Sequence, residues 1–142
     1  MEHKPPKYQQ IDHTADVGIK IYGETLAELF CHAALGMFDV IANLETVALI
    51  IERKIQVEAT DLEALLVAWL SELNYLFFTE EVLFKDFKIE LIDDSKLLAR
   101  VRGEKIDENK HEIYTEVKAV TYHKLYVTKK EQGWEAQVIF DL

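Results

Sequence analysis

Cysteine, proline, glycine and serine are all scarce in this chain, and each scarcity excludes something. Cys31 is the single cysteine of 142 residues, so neither an internal disulfide nor a multi-cysteine zinc site can be written, and a reducing compartment suits the chain. The five glycines stand at 18, 23, 36, 103 and 133, spacings that permit neither G-x-G-x-x-G nor a Walker A loop. Ser71 and Ser95 are the only serines, and no G-x-S-x-G surrounds them. No H-E-x-x-H and no EF-hand loop occurs. The opening MEHKPPKYQQ has no apolar run and does not read as a signal peptide. No stretch approaches the roughly 18 uncharged apolar residues of a membrane span. A cytoplasmic location without membrane contact is therefore expected.

Positive charge is the other shortage. Twenty-six acidic residues against 16 basic ones leave a formal net charge of -10. Affinity for nucleic acid comes mainly from Lys and Arg neutralising phosphates, so a surface this acidic repels RNA unless a local patch or bound cations reverse the sign. If RNA is involved, a partner protein holds it. The same acidity suits divalent cations or a basic protein surface.

Apolar material is plentiful. Hydrophobic residues make up 49% of the chain, and seven Phe, six Tyr and two Trp supply core volume. The length fits one domain over 1–142, with Pro5 and Pro6 marking residues 1–7 as an extended lead-in. A short strand is expected at Tyr8–Ile11, then a loop Asp12-His13-Thr14-Ala15-Asp16 and a strand Val17–Tyr22 of alternating polarity. Thr25-Leu26-Ala27-Glu28 reads as a capping box before a helix with Leu26, Leu29, Phe30, Ala33, Met37 and Val40 on one face. Thr46–Ala59, rich in Val and Ile, reads as one long or two short strands. Thr60-Asp61-Leu62-Glu63 reads as a second capping box, opening a helix with a wide apolar stripe from Leu62 to Phe77. Strands then follow at Val82–Ile92, Lys96–Gly103, Glu116–Thr128 and Trp134–Phe140, with turns at Asp93-Asp94-Ser95 and Glu131-Gln132-Gly133 and a polar loop Glu104–Thr115. The expected class is α+β: two helices packed on a largely antiparallel sheet of about six or seven strands.

Chemistry has few places to sit. Cys31 lies beside an apolar helix stripe without a basic or glycine-rich setting to lower its pKa, and the adjacent His32 points about 100° away from it on a helix. The loop from Asp12 to Asp16 brings two carboxylates and the His13 imidazole within five residues. Its aspartates can equally cap their own loop, and on these residues alone that structural reading is favoured over ligand duty. The final strand runs into Asp141-Leu142, which offer a carboxylate and a terminal carboxylate. Hard cations take several oxygen ligands, so Asp16, Asp141 and the Leu142 terminus make a candidate metal set if the two segments meet. Periodicity does not say whether they do. His123 shares a strand face with Thr121, Leu125 and Val127, which reads first as a hydrogen-bonded, partly buried histidine. Asp12, His13, Lys110, His111 and His123 form a second rank of site or interface candidates.

Four runs together resemble the archease family. Ile11–Gly18 is similar to its "HTAD(I/V)G" signature, Asp61–Leu66 to its "DLEALL" stretch, Glu116–His123 to its "EVKA(I/V)TYH" strand, and the end Phe140-Asp141-Leu142 to a terminus written "D(I/L)". The resemblance covers essentially the whole chain. It implies a small α+β protein that is not itself an enzyme. Such a protein activates the GTP-dependent tRNA-splicing ligase by promoting its guanylylation and multiple turnover. RNA would be met only through that ligase. The resemblance also implies a divalent-metal site, Ca²⁺ first with Mg²⁺ or Mn²⁺ as alternatives, at Asp16, Asp141 and a main-chain oxygen of Leu142. Two rivals stand beside it: a metal-dependent phosphoester hydrolase built on Asp12, His13, Asp16, Asp141 and His123, and a holdase-like chaperone.

Overall fold

The computed structural model describes residues 5–12 and 16–142, and of Asp12 the backbone alone. The elements are β1 (Tyr8–Asp12), β2 (Asp16–Gly23), α1 (Leu26–Ile41), β3 (Ile51–Glu58), α2 (Leu62–Glu80), β4 (Val82–Ile92), β5 (Lys96–Lys105), β6 (Ala119–Lys130) and β7 (Gly133–Asp141). Among the described residues two helices and seven strands make an α+β domain, and every strand pairing is antiparallel. The strands divide into two sheets, ordered β1-β2-β7-β6 and β3-β5-β4.

Local chemistry sets the helix starts. Thr25 caps α1, its Oγ1 accepting the Glu28 N–H at 3.1 Å. The Glu28 carboxylate reaches back to the Glu24 N–H at 3.3 Å, one residue beyond the expected reciprocal partner. At α2 the cap is Asp61 rather than Thr60, with Oδ1 accepting from Ala64 N at 2.8 Å. Helix therefore begins one residue later than the expected box, and its third position is an alanine that cannot reciprocate.

Both helices touch both sheets, so the core is continuous from one sheet to the other. Trp69 of α2 is wholly buried and donates its indole N–H to Phe30 O of α1 at 2.9 Å, which ties the helices together. Phe38 packs edge-on to Phe84 and stacks on Phe87, both with centroids 5.9 Å away, locking α1 to β4. The helix stripe read from the sequence omits Phe38, although it is among the largest buried side chains. Among the described residues α2 is long and apolar enough to cross a membrane, contrary to the expectation that no segment comes near. Leu65, Leu66, Trp69, Leu70 and Leu73 are wholly buried in the domain core, which accounts for that composition.

The expected strand over Thr46–Ala59 is confined to Ile51–Glu58. Its first part is spent on a loop, with Val47 buried and Ile50 N donating to Gly103 O at 2.9 Å. The β6 strand begins at Ala119 instead of Glu116, and Glu104 and Lys105 extend β5 into the expected loop.

The centre of the smaller sheet leaves no room at Gly103. A Cβ there would stand 1.9 Å from Leu83 O, whereas one at Gly18 would meet the Ile139 side chain at an ordinary 3.5 Å. Gly103→Ala should therefore lower unfolding free energy by about 2–3 kcal/mol, in the range of overpacked cores. Gly18→Ala should change it by no more than about 0.5 kcal/mol. Urea melts of the two variants beside wild type check this, and equal losses would contradict it.

Candidate functional site

The segments that the sequence left apart do meet. In the β2–β7 ladder Asp16 stands directly opposite Asp141, and on the far side of β7 Ala119 of β6 stands opposite Asp141 as well. Ile19 and Ile21 of β2 and Ala136, Val138 and Phe140 of β7 are wholly buried inward. By the two-residue period of a strand, Asp16 and Asp141 both face the opposite, outer side of the sheet. Side chains directly opposite one another have Cβ atoms about 4.5–5.5 Å apart, and like charges placed so repel. Such a pair gains from a cation between or beside its oxygens.

The surroundings hold this row in place. Lys118 donates its backbone N–H to Asp141 O at 2.8 Å, so the approach to β6 is stitched to the last residues of β7, and Lys118 is itself exposed. Leu142 packs its side chain against the core. The backbone of Asp12 pairs with Val17, one ladder step from the Asp16–Asp141 row. His13 lies outside the described residues, as does the Asp12 side chain. Among the described residues no three His, Cys, Asp or Glu side chains are grouped closely enough to hold a metal ion. Asp16, Asp141 and a main-chain oxygen at Leu142 fit a hard cation by donor type, since all are oxygens.

His123 is placed otherwise than expected. Thr121 pairs with Ile139 and Tyr126 with Gln137, so four residues of β6, 122 to 125, stand against Val138 alone. This bulge interrupts the alternation that would have half-buried His123, and leaves it exposed.

Lys110 and His111 belong to a different construction. Glu104 Oε1 accepts from Ala48 N, Lys110 Nζ and His111 Nε2, each at 2.9 Å. The other nitrogen of the ring, Nδ1, accepts the Asp107 N–H at 2.9 Å, so the proton of a neutral imidazole sits on Nε2. The ring of His111 is buried and committed on both nitrogens, so it has nothing to offer a partner. Lys110 remains part-exposed in its ion pair with Glu104. These bonds close the loop between β5 and β6 onto the segment between α1 and β3. The Ala48 N–H, with Lys110 and His111, holds the Glu104 carboxyl at about 2, well below its ordinary 4.5. The sequence signal for this hub is an acidic residue facing a Lys-His pair across a short polar loop.

The other candidates are structural. Cys31 donates its thiol to Phe87 O at 3.1 Å, and burial raises its pKa. His32 Nδ1 is 2.6 Å from Tyr22 O, to which it donates, rather than bonded to the cysteine.

A two-sheet α+β domain with a carboxylate pair at one end of its larger sheet is the class defined so far. Residues 8–142 match the Archease protein family (MTH1598/TM1083). The Protein archease of Methanosarcina mazei is 44% identical over 146 residues, covering 100% of both chains. That of Pyrococcus furiosus is 43% identical over 140 residues, covering 96% of this chain and 99% of the relative. The solution structure of Methanobacterium thermoautotrophicum protein 1598 superposes with a TM-score of 0.81 at 38% identity, covering 96% of this chain and 99% of that one. The chain belongs to the archease family. That membership supports an accessory role in tRNA processing.

The Glu104 hub makes stability depend on pH with a definite sign. Its folded pKa lies below the unfolded value, so its contribution is present above about 4.5 and is lost as pH falls toward about 2. Glu104→Gln should therefore be less stable than wild type near neutrality, with the gap closing in that acid window. Thermal melts of both proteins across the window check it, and a gap that is constant with pH would contradict it.

Proposed function

We propose that this protein is an accessory activator of the GTP-dependent tRNA-splicing ligase and that the Asp16–Asp141 row is the part that acts on it. The observation that carries this reading is the register of β2 against β7, which brings the carboxylates of the family's two signature segments into one pair. Asp16, Asp141 and a main-chain oxygen of Leu142 would hold a divalent cation, with Ca²⁺ favoured because its coordination tolerates irregular oxygen sets better than that of Mg²⁺. Bound there, the ion would offset the like-charge repulsion of the pair. The chain's own contribution is rigidity: a ladder position fixes each carboxylate far better than a loop would.

The formal charge of -10 suits docking on a basic, RNA-binding surface and keeps this chain from competing for the RNA itself. In this reading the acidic tip enters near the ligase's nucleotide site and favours the geometry for attack on GTP. The ligase does the covalent chemistry.

The test is single-turnover guanylylation of the cognate ligase with wild-type protein, Asp16→Ala and Asp141→Ala. Wild type should accelerate the reaction, and each variant should lose at least about tenfold of that acceleration while melting like wild type. Full stimulation by either variant moves the site elsewhere. Absence of stimulation by wild type ends the activator reading, and phosphoesterase turnover by the isolated protein would then favour the hydrolase rival.

A further inference from the structure

The β6 bulge, at the edge of the larger sheet, is held open at a conformational cost. Four residues opposite one displace Tyr122, His123, Lys124 and Leu125 from the ladder. Lys124 sits at φ 52°, a left-handed conformation that costs a residue with a Cβ of order 1 kcal/mol. Two side chains fix the detour. Thr121 Oγ1 donates to Ile139 O at 2.8 Å while accepting from His123 N at 3.3 Å, and Gln137 Nε2 donates to Lys124 O at 2.9 Å. Gln137 and Ile139 alternate with inward Val138, so these bonds anchor the bulge to the outer side of the sheet. Ile139 is only 2% exposed there although it is not part of the main core cluster.

What this presents is Tyr122, 64% exposed, on a fixed backbone. The ladder pair that starts the bulge, Thr121–Ile139, lies two residues along from the Ala119–Asp141 pair on the same side of the sheet. At about 3.3 Å per residue, that is about 7 Å from the carboxylate row. A large aromatic with few rotamers, on a backbone already ordered, is the kind of residue that anchors protein interfaces at low entropic cost.

We propose that the bulge is a second contact element for the partner met by the Asp16–Asp141 row, with Tyr122 as its anchor. The inference rests on the proposed ligase reading and deepens it by dividing the labour. The carboxylates act on the reaction, and Tyr122 supplies affinity. The occupant is the folded partner protein rather than RNA, because the bulge starts about 7 Å from the row of Asp16 and Asp141, which repel phosphates.

The experiment titrates the ligase with wild type, Tyr122→Ala and Tyr75→Ala and reads guanylylation rate against concentration. Tyr75 is a control of matched exposure, 60%, on α2. Tyr122→Ala should raise the half-saturating concentration by about tenfold or more, the scale of an interface anchor, and keep the wild-type plateau. Tyr75→Ala should follow wild type. Half-saturation of Tyr122→Ala within about twofold of wild type overturns the proposal and leaves the bulge as edge protection. A lowered plateau at unchanged half-saturation also overturns it, since Tyr122 would then act on the reaction. If wild type neither binds nor stimulates, the ligase reading fails and takes this inference with it, a result distinguishable because all three proteins then behave alike.

Discussion

Much of this molecule follows from the pairing of β2 with β7 at the middle of the larger sheet. The pairing joins the first and last parts of the chain, and burial sets its register. Ile19, Ile21, Val138 and Phe140 are wholly buried. A slip of one residue would turn one strand's set to the outer face. Each such side chain contributes about 1.5–3 kcal/mol by leaving water. The repulsion of two carboxylates placed opposite one another is at most about 1 kcal/mol. Apolar burial wins, and Asp16 faces Asp141 because the core leaves them no alternative. The carboxylate pair is thus a by-product of packing, and it inherits the rigidity of the core.

A second constraint acts on the approach to β6. Between β5 and β6 the chain runs through a polar loop that an unguided backbone would leave mobile. Glu104 binds this loop to the segment after α1 through Ala48, Lys110 and His111, and Tyr114 N returns to Ile41 O at 2.7 Å. The chain is thereby delivered to Lys118, whose N–H meets Asp141 O. A mutation at Glu104 can therefore disturb the carboxylate row from a distance by loosening the approach to β6.

The architecture was legible in the sequence where one physical rule acted alone. Alternating Val17, Ile19 and Ile21, the i, i+3, i+4 stripes of both helices, and the turn at Asp93-Asp94-Ser95 each reported a single local preference. The turn is closed by Asp93 Oδ1 accepting from Ser95 N and Lys96 N. Legibility failed where tertiary bonds override local ones. Thr46–Ile50 has strand composition but serves as a covering loop, and the strand period through His123 is broken by a bulge whose fasteners, Thr121 and Gln137, are sixteen residues apart in sequence. Division into two sheets was equally hidden, since strand patterns do not say which strands share a ladder. For the carboxylate pair, Asp16 and Asp141 were nameable as candidates but their meeting was not readable. That meeting depends on long-range register, and His111 looked like an interface residue only because its part-buried bond to Glu104 has no local signature.

The central claim is that Asp16 and Asp141 work as one site because the β2–β7 register joins them. A double-mutant cycle with Asp16→Asn, Asp141→Asn and the pair, read as stimulation of ligase guanylylation, tests it most directly. Residues that act as a unit are strongly non-additive. Each single substitution should remove nearly all the stimulation, and the double variant should be no worse than either. Partial losses that multiply in the double variant would show two independent residues, not one joined site.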